Sequence, residues 1–268
     1  MRFTRIAATV AAVVMSATIG LVGAGTAQAA DQAAATGYVA LGDSYSSGVG
    51  AGNYDSGSGD CKRSANAYPK LWAAANSPSS FDFTACSGAV TGDVLSNQLG
   101  PLNANTGLVS ISIGGNDIGF ADVMTTCVLQ SESNCLARID RARAELNSSL
   151  PGKLDQVYSA ISSKAPSARV VVLGYPRLYK MGGTCIVGLS ETERAALNQA
   201  SEDLNSVIAK RAADHGFGFG DVAGNFTGHE ICSGDSWLHS VTFPLGDSYH
   251  PTAAGQSGGY LPALNSAA

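Results

Sequence analysis

The run Arg169-Val170-Val171-Val172-Leu173 admits few folds. Its three β-branched residues favour an extended chain. No polar residue alternates with them, so a strand here has no face to offer to water. Strands of that kind lie in parallel sheets covered by helices on both sides. Residues 38–41, 81–84, 108–113 and 217–222 read as further strands. Between them, Tyr68–Asn76 reads as a helix, and residues 138–163 as mostly helical with a break at Pro151. Ser190-Glu191-Thr192-Glu193 is a capping box. It opens a helix with Leu197, Leu204, Val207 and Ile208 on one face, and Gly216 stops it. Strands alternating with helices predict one three-layer α/β/α sandwich with a five-stranded parallel sheet.

Open sheets of this class bind ligands beyond the carboxyl ends of their strands. Gly42-Asp43-Ser44 stands directly after the first strand, and this places Ser44 for chemistry; the same three residues also make ordinary turns. Cys86-Ser87-Gly88-Ala89 follows the second strand and Gly114-Gly115-Asn116-Asp117 the third, at the same edge. A glycine backbone and an Asn amide can donate to a developing oxyanion. Asp247 lies three residues before His250, a spacing that lets a carboxylate orient an imidazole whose other nitrogen faces a serine. A helix cap is the lesser alternative reading of Asp247. His215 borders Gly216 at a helix end and reads as structural, while His229 and His239 lie in loop-like sequence with no partner at a recognisable spacing. Residues 48–65 read as a long surface loop. Gly255-Gln256-Ser257-Gly258-Gly259 fits a nucleophile elbow, but no Asp or His follows it, and this argues against Ser257.

The 268 residues begin with Met1-Arg2-Phe3-Thr4-Arg5, an apolar run and Ala27-Gln28-Ala29, the pattern of an export signal at residues 1–29, with cleavage near Ala29 or as late as residue 34. Residues 35–268 then form one domain, within the usual size range. Removing Arg2 and Arg5 from 16 basic residues leaves 14 against 21 acidic ones, a formal charge of −7 with no Lys/Arg cluster. Nucleic acid and anionic membranes are poor partners for such a surface. Six cysteines in an exported chain suggest three disulfides. Fifteen pairings are open, and the expectation is nearest-neighbour pairing: Cys61–Cys86, Cys127–Cys135 and Cys185–Cys232. Metal-ligand spacings are missing from the sequence. Val123, Met124, Val128 and Leu129, with Tyr175, Leu178, Tyr179 and Met181, follow strands three and four and could line an acyl groove.

Gly42-Asp43-Ser44, Gly88, Gly115-Asn116-Asp117 and Asp247-x-x-His250, in that order, resemble the four sequence blocks of the SGNH, or GDS(L), hydrolases, and most resemble the secreted actinobacterial lipases and esterases. The resemblance implies a flavodoxin-like sandwich and serine ester hydrolysis without a cofactor or metal. By it, Ser44 is the nucleophile, His250 the base and Asp247 the orienting acid. The Ser44 N–H, the Gly88 N–H and the Asn116 amide are the oxyanion donors. Some secreted relatives use a backbone carbonyl in place of the acid. Tyr45 stands where Leu is commoner in the motif. The implied substrates are medium-to-long-chain acyl esters, including glycerides and phospholipids, taken by a secreted monomer without stable membrane insertion. A carbohydrate-directed acetylesterase on the same scaffold and a secreted protein that binds without turnover are the competing readings. His250 must be neutral to act, so the expectation is that activity rises as pH passes through about 6–7.

Overall fold

Every residue of strand β1 (Gly37–Gly42) is buried, because it has a paired neighbour on each edge and helices over each face. The computed structural model describes residues 37–185 and 188–268, all within the unit Ala33–Ala268. The export signal read at residues 1–29 lies outside the described residues. β2 (Phe81–Phe83) and β3 (Thr106–Ser112) flank β1, and β4 (Arg169–Leu173) and β5 (Gly218–Gly220) extend the sheet beyond β3. The order is β2-β1-β3-β4-β5, with every pairing parallel. The chain leaves β1 in both directions, so the topological switch falls between the carboxyl ends of β1 and β3, where such sheets bind ligands. Gly42 and Ser112 are register partners at that point.

Helix α1 (Ser44–Ser47) begins two residues after β1 ends, and α2 (Tyr68–Asn76) and α3 (Thr91–Asp93) follow on either side of β2. After β3 come α4 (Phe120–Leu129), α5 (Glu132–Ser148) and α6 (Leu150–Lys164). The long α7 (Glu191–Asp214) precedes β5, and α8 (Val222–Asn225) and α9 (Leu261–Ala267) complete the chain. Helices α4 to α7 pack on one another as one layer; α2, α8, α9 and the π-helical turn Gly255–Tyr260 make the other.

The capping box opens α7 as its sequence requires. Ser190 Oγ accepts the Glu193 N–H at 3.2 Å, and the Glu193 carboxylate accepts the Ser190 N–H at 2.8 Å. Leu197, Leu204 and Ile208 are buried on it, with Val207 half-buried. His215 closes the helix and holds Asp155 of α6 at 3.1 Å, a structural role. The helical stretch is divided in two beside Pro151 as expected: Ser149 separates α5 from α6, and Pro151 sits in the first turn of α6, where its missing N–H costs nothing. Residues 48–65 are less of a surface loop than their composition suggests, since Val49 and Ser64 are fully buried and Ser56–Cys61 is a 3₁₀ helix. Three disulfides, Cys61–Cys86, Cys127–Cys135 and Cys185–Cys232, close loops that follow strand carboxyl ends.

The end of β1 is clamped by one buried side chain. Gln98 Oε1 accepts the Gly42 N–H at 2.7 Å, and its Nε2 donates to the Gly42 carbonyl at 2.8 Å. Gly42 holds a φ of +123°, and a Cβ there would lie 2.5 Å from the Ser112 carbonyl oxygen. Gly42→Ala combines a disfavoured backbone with a clash against an immobile strand, and is expected to destabilise the fold by about 2–4 kcal/mol. Urea unfolding of the two proteins measures this, and a loss within about 0.5 kcal/mol, as at an ordinary surface site, would contradict it.

Candidate active site

Asp43 ends the first strand's excursion and starts α1. Its Oδ1 accepts the Tyr45 N–H at 3.0 Å and so caps the helix, leaving Ser44 in the first helical position. A backbone N–H there has no intrahelical acceptor. Among the described residues, neither the Ser44 nor the Gly88 N–H meets a protein acceptor. Asp43 is itself buried, and its two oxygens also accept from Ser112 Oγ at 2.7 Å and from the Tyr175 hydroxyl at 2.5 Å. Burial pushes its carboxyl up to about 6, and the Tyr175 and Ser112 donors limit the rise.

His250 Nε2 lies 2.8 Å from Ser44 Oγ, and its Nδ1 lies 3.0 Å from the Ser248 carbonyl oxygen. A carbonyl can only accept, so Nδ1 carries the ring proton and Nε2 is left to take the Ser44 hydroxyl proton. The Ser248 carbonyl reaches the ring because Tyr249 adopts a left-handed backbone, φ +64°. Backbone pairing fixes the segment: the His239 N–H donates to the His250 carbonyl, and the Tyr249 N–H to the His239 carbonyl, both at 3.0 Å. The Tyr45 hydroxyl donates to the Tyr249 carbonyl at 2.8 Å, so the residue that replaces the commoner Leu braces the histidine loop. Desolvation of the half-buried ring pushes His250 down to about 4, against the opposing pull of the Ser248 carbonyl and of Asp247.

The expectation that Asp247 orients His250 is corrected here. Asp247 Oδ1 accepts from the Tyr54 hydroxyl at 3.2 Å and lies 3.6 Å from Lys62 Nζ, while Ser248 O occupies the place at Nδ1. Nor does Asp247 cap a helix; it ends the 3₁₀ turn Leu245–Asp247. The other two expected contributors meet at the mouth. Gly88, with a φ of +78°, is the third residue of a turn closed by the Ala89 N–H donating to the Cys86 carbonyl at 3.2 Å, a position whose own N–H the turn does not use. Asn116 Nδ2 donates one hydrogen to the Ala89 carbonyl at 3.0 Å and retains a second. Asp117 accepts from Thr91 Oγ1 at 2.7 Å and from its N–H at 3.0 Å, bolting the loop after β2 to the loop after β3. Ser44, Gly88, Asn116 and His250 line one opening.

Two apolar hollows meet at Ser44. A narrow, partly enclosed pocket runs beneath α4, α5 and α7, lined by Phe120, Val123, Ile139, Tyr175, Leu178 and Leu197 among others. An open groove crosses the surface between Met124, Val128, Leu129 and the segment holding Val241 and Leu245. The acyl groove read from the sequence is therefore divided in two. Tyr179 lines neither part, facing a separate polar hollow beside Cys185 and Cys232. Met181 is exposed and lines neither part. The loop histidines have structural partners: His229 stacks on Trp237 at 3.6 Å, and His239 Nε2 donates to the Gly50 carbonyl at 2.8 Å. Ser257 is exposed on a helical turn, its hydroxyl donating to the Ala253 carbonyl at 3.0 Å. Among the described residues no group of three His, Cys, Asp or Glu side chains is arranged to hold a metal ion.

Residues 40–257 match the GDSL-like Lipase/Acylhydrolase family. Over 269 aligned positions that span both proteins fully, the chain is 71% identical to Lipase 1 of Streptomyces coelicolor. Among solved structures it resembles phospholipase A1 from Streptomyces albidoflavus NA297, at 73% identity and a TM-score of 0.86, covering 88% of this chain and 100% of that one. It likewise resembles the extracellular lipase of Streptomyces rimosus, at 69% identity and a TM-score of 0.85, over 87% of this chain and 100% of that one.

With a backbone carbonyl holding the ring, Asp247→Asn is expected to keep phosphonylation of Ser44 by a fluorophosphonate within about tenfold of the unaltered chain. A carboxylate-dependent imidazole would lose about 10⁴-fold. The lowered His250 pKa has a second consequence. The ring must be neutral to take the Ser44 proton, and it stays neutral until pH falls through its depressed value. The acid limb of the labelling rate is therefore expected below pH 6, and a limb at about 6.5–7 would mean a solvated ring.

Proposed function

The chain belongs to the GDSL-like lipase/acylhydrolase family and is a carboxylic ester hydrolase; from that premise we propose that it is an exported lipolytic enzyme working through a Ser44–His250 dyad. The observation that carries this is the 2.8 Å contact between Ser44 Oγ and His250 Nε2 at the junction of two apolar hollows. His250 takes the Ser44 proton as Oγ attacks the ester carbonyl carbon. The tetrahedral oxyanion receives hydrogen bonds from the Ser44 N–H, the Gly88 N–H and the free hydrogen of Asn116 Nδ2. Collapse expels the alcohol, which takes the proton back from His250 Nε2 and leaves Ser44 acylated. A water molecule then gives its proton to Nε2 and attacks the acyl carbon. The acid leaves, and the proton returns to Ser44.

The substrate class follows from the lining. The partly enclosed pocket offers apolar wall and little to pair with sugar hydroxyls, which suits a medium-to-long acyl chain better than an acetyl group on carbohydrate. The open groove would take the alcohol portion, glyceride or phospholipid; the chain's similarity to a protein named phospholipase A1 supports including the latter. Export is supported by the leader pattern, by three disulfides and by similarity to a lipase named extracellular. The acidic balance favours a monomer with no affinity for nucleic acid.

Hydrolysis of p-nitrophenyl acetate, decanoate and palmitate by the mature chain, beside its Ser44→Ala variant, tests both halves. The expected outcome is Ser44-dependent turnover with kcat/KM rising at least about tenfold from acetate to decanoate, as several buried methylenes allow. A preference for acetate would keep the nucleophile and reject the lipolytic substrate, and turnover that survives Ser44→Ala would reject the dyad.

A further inference from the structure

Among the described residues six large apolar side chains stand exposed, and five of them fall on two segments. Val128 and Leu129 end α4; Val241, Phe243 and Leu245 lie on the loop before His250. The exposures are extreme for such residues: 86% for Phe243, 76% for Leu129 and 62% for Leu245. Val128, Leu129, Val241 and Leu245 form opposite banks of the open groove that ends at Ser44, and Phe243 lies between the last two in sequence, almost fully exposed. Scattered apolar residues on a surface need no explanation, but a contiguous set around one opening marks an interaction surface.

The loop that presents Phe243 is held from behind. The Thr242 N–H donates to Ser248 Oγ at 3.0 Å, and that hydroxyl donates back to the Thr242 carbonyl at 3.3 Å. The Asp247 N–H donates to the Pro244 carbonyl at 2.9 Å, and the Asp247 carboxylate is anchored by Tyr54 and Lys62. The backbone on both sides of Phe243 is thus held by its own loop. Ser248 belongs to both devices: its side chain pins this loop and its carbonyl holds His250 Nδ1.

The patch is also electrically quiet. Residues 123–131 contain no charged side chain, and Asp247 is the only carboxylate in residues 238–250, with Lys62 beside it. The mature chain carries −7 with no basic cluster, so an anionic surface would repel it. We infer that Val128, Leu129, Val241, Phe243 and Leu245 dock the enzyme on the surface of a zwitterionic phosphatidylcholine bilayer, with Phe243 as the anchor. This rests on the lipolytic reading above. It adds that the protein binds the aggregate first and draws its ester into the groove from there, by shallow contact of a few side chains without any spanning segment.

Co-sedimentation of the mature Ser44→Ala protein with dioleoyl phosphatidylcholine vesicles measures docking without hydrolysis. Adding Phe243→Ser is expected to weaken partitioning about tenfold or more, as loss of a buried aromatic ring requires. Phe243→Trp should restore it, with its emission moving to shorter wavelength when vesicles are added. With Ser44 intact, Phe243→Ser should leave p-nitrophenyl acetate turnover unchanged and lower hydrolysis of the vesicle lipid by a similar factor. Equal partitioning of the Phe243→Ser protein would overturn the inference. So would a lipid-free dimer that depends on Phe243 and ignores vesicles, or binding that strengthens steeply with added phosphatidylglycerol. Normal ester turnover without Phe243-dependent docking rejects the docking surface alone. Phe243-dependent docking in a protein that hydrolyses no ester supports the surface and rejects the lipolytic reading.

Discussion

A carboxylate with almost no access to water holds this site together. Burying one is costly unless its lone pairs are occupied. Asp43 meets that demand with donors from three places: Tyr45 in the turn after β1, Ser112 at the end of β3 and Tyr175 after β4. From Ser112 the chain of hydroxyls continues through Ser46, Tyr68 and Ser110 to Tyr38 inside the core. The position of Ser44 is therefore tied to strand register. A slip of one residue between β1 and β3 would part Gly42 from Ser112 and strand the carboxylate.

The same desolvation drives the site's two titrating groups in opposite directions. Asp43 is raised to about 6, so it binds a proton more tightly folded than unfolded, and its contribution to stability falls as pH rises from about 4 to 6. His250 is lowered to about 4, so it binds one less tightly folded, and its contribution grows across much the same range. The opposed slopes leave the site with little net proton uptake on folding, although each group alone is strongly perturbed.

What could be read from the sequence is what depends on local pattern. The unrelieved apolar run at Arg169–Leu173, the capping box at Ser190 and the stop at Gly216 each carry their physics within a few residues, and each forms the element it specifies. Helix α4 was hidden because Phe120–Leu129 mixes Thr, Val and Cys and follows a glycine that supplies no side-chain cap. The walls of the partly enclosed pocket were hidden differently. Ile139 and Leu197 look like any buried helical stripe, and only the packing of α5 against α7 leaves space beside them. Ser44, Gly88, Asn116 and His250 were legible because each follows a structural break with the right chemistry. The partner of Nδ1 was not: every residue owns a carbonyl, so no residue type betrays the one at Ser248.

That carbonyl has a consequence for how such an enzyme can change over generations. A carboxylate that orients a histidine is written in one codon and can be erased by one base change. A peptide oxygen survives every replacement at its own position, so its loss requires an altered path of the main chain. In this protein that path depends on the left-handed turn at Tyr249 and on the number of residues between His239 and His250, which pair through their backbones. Insertions and deletions, more than missense changes, are the heritable events that would disarm the histidine. The length of the loop, rather than its spelling, is the inherited constraint.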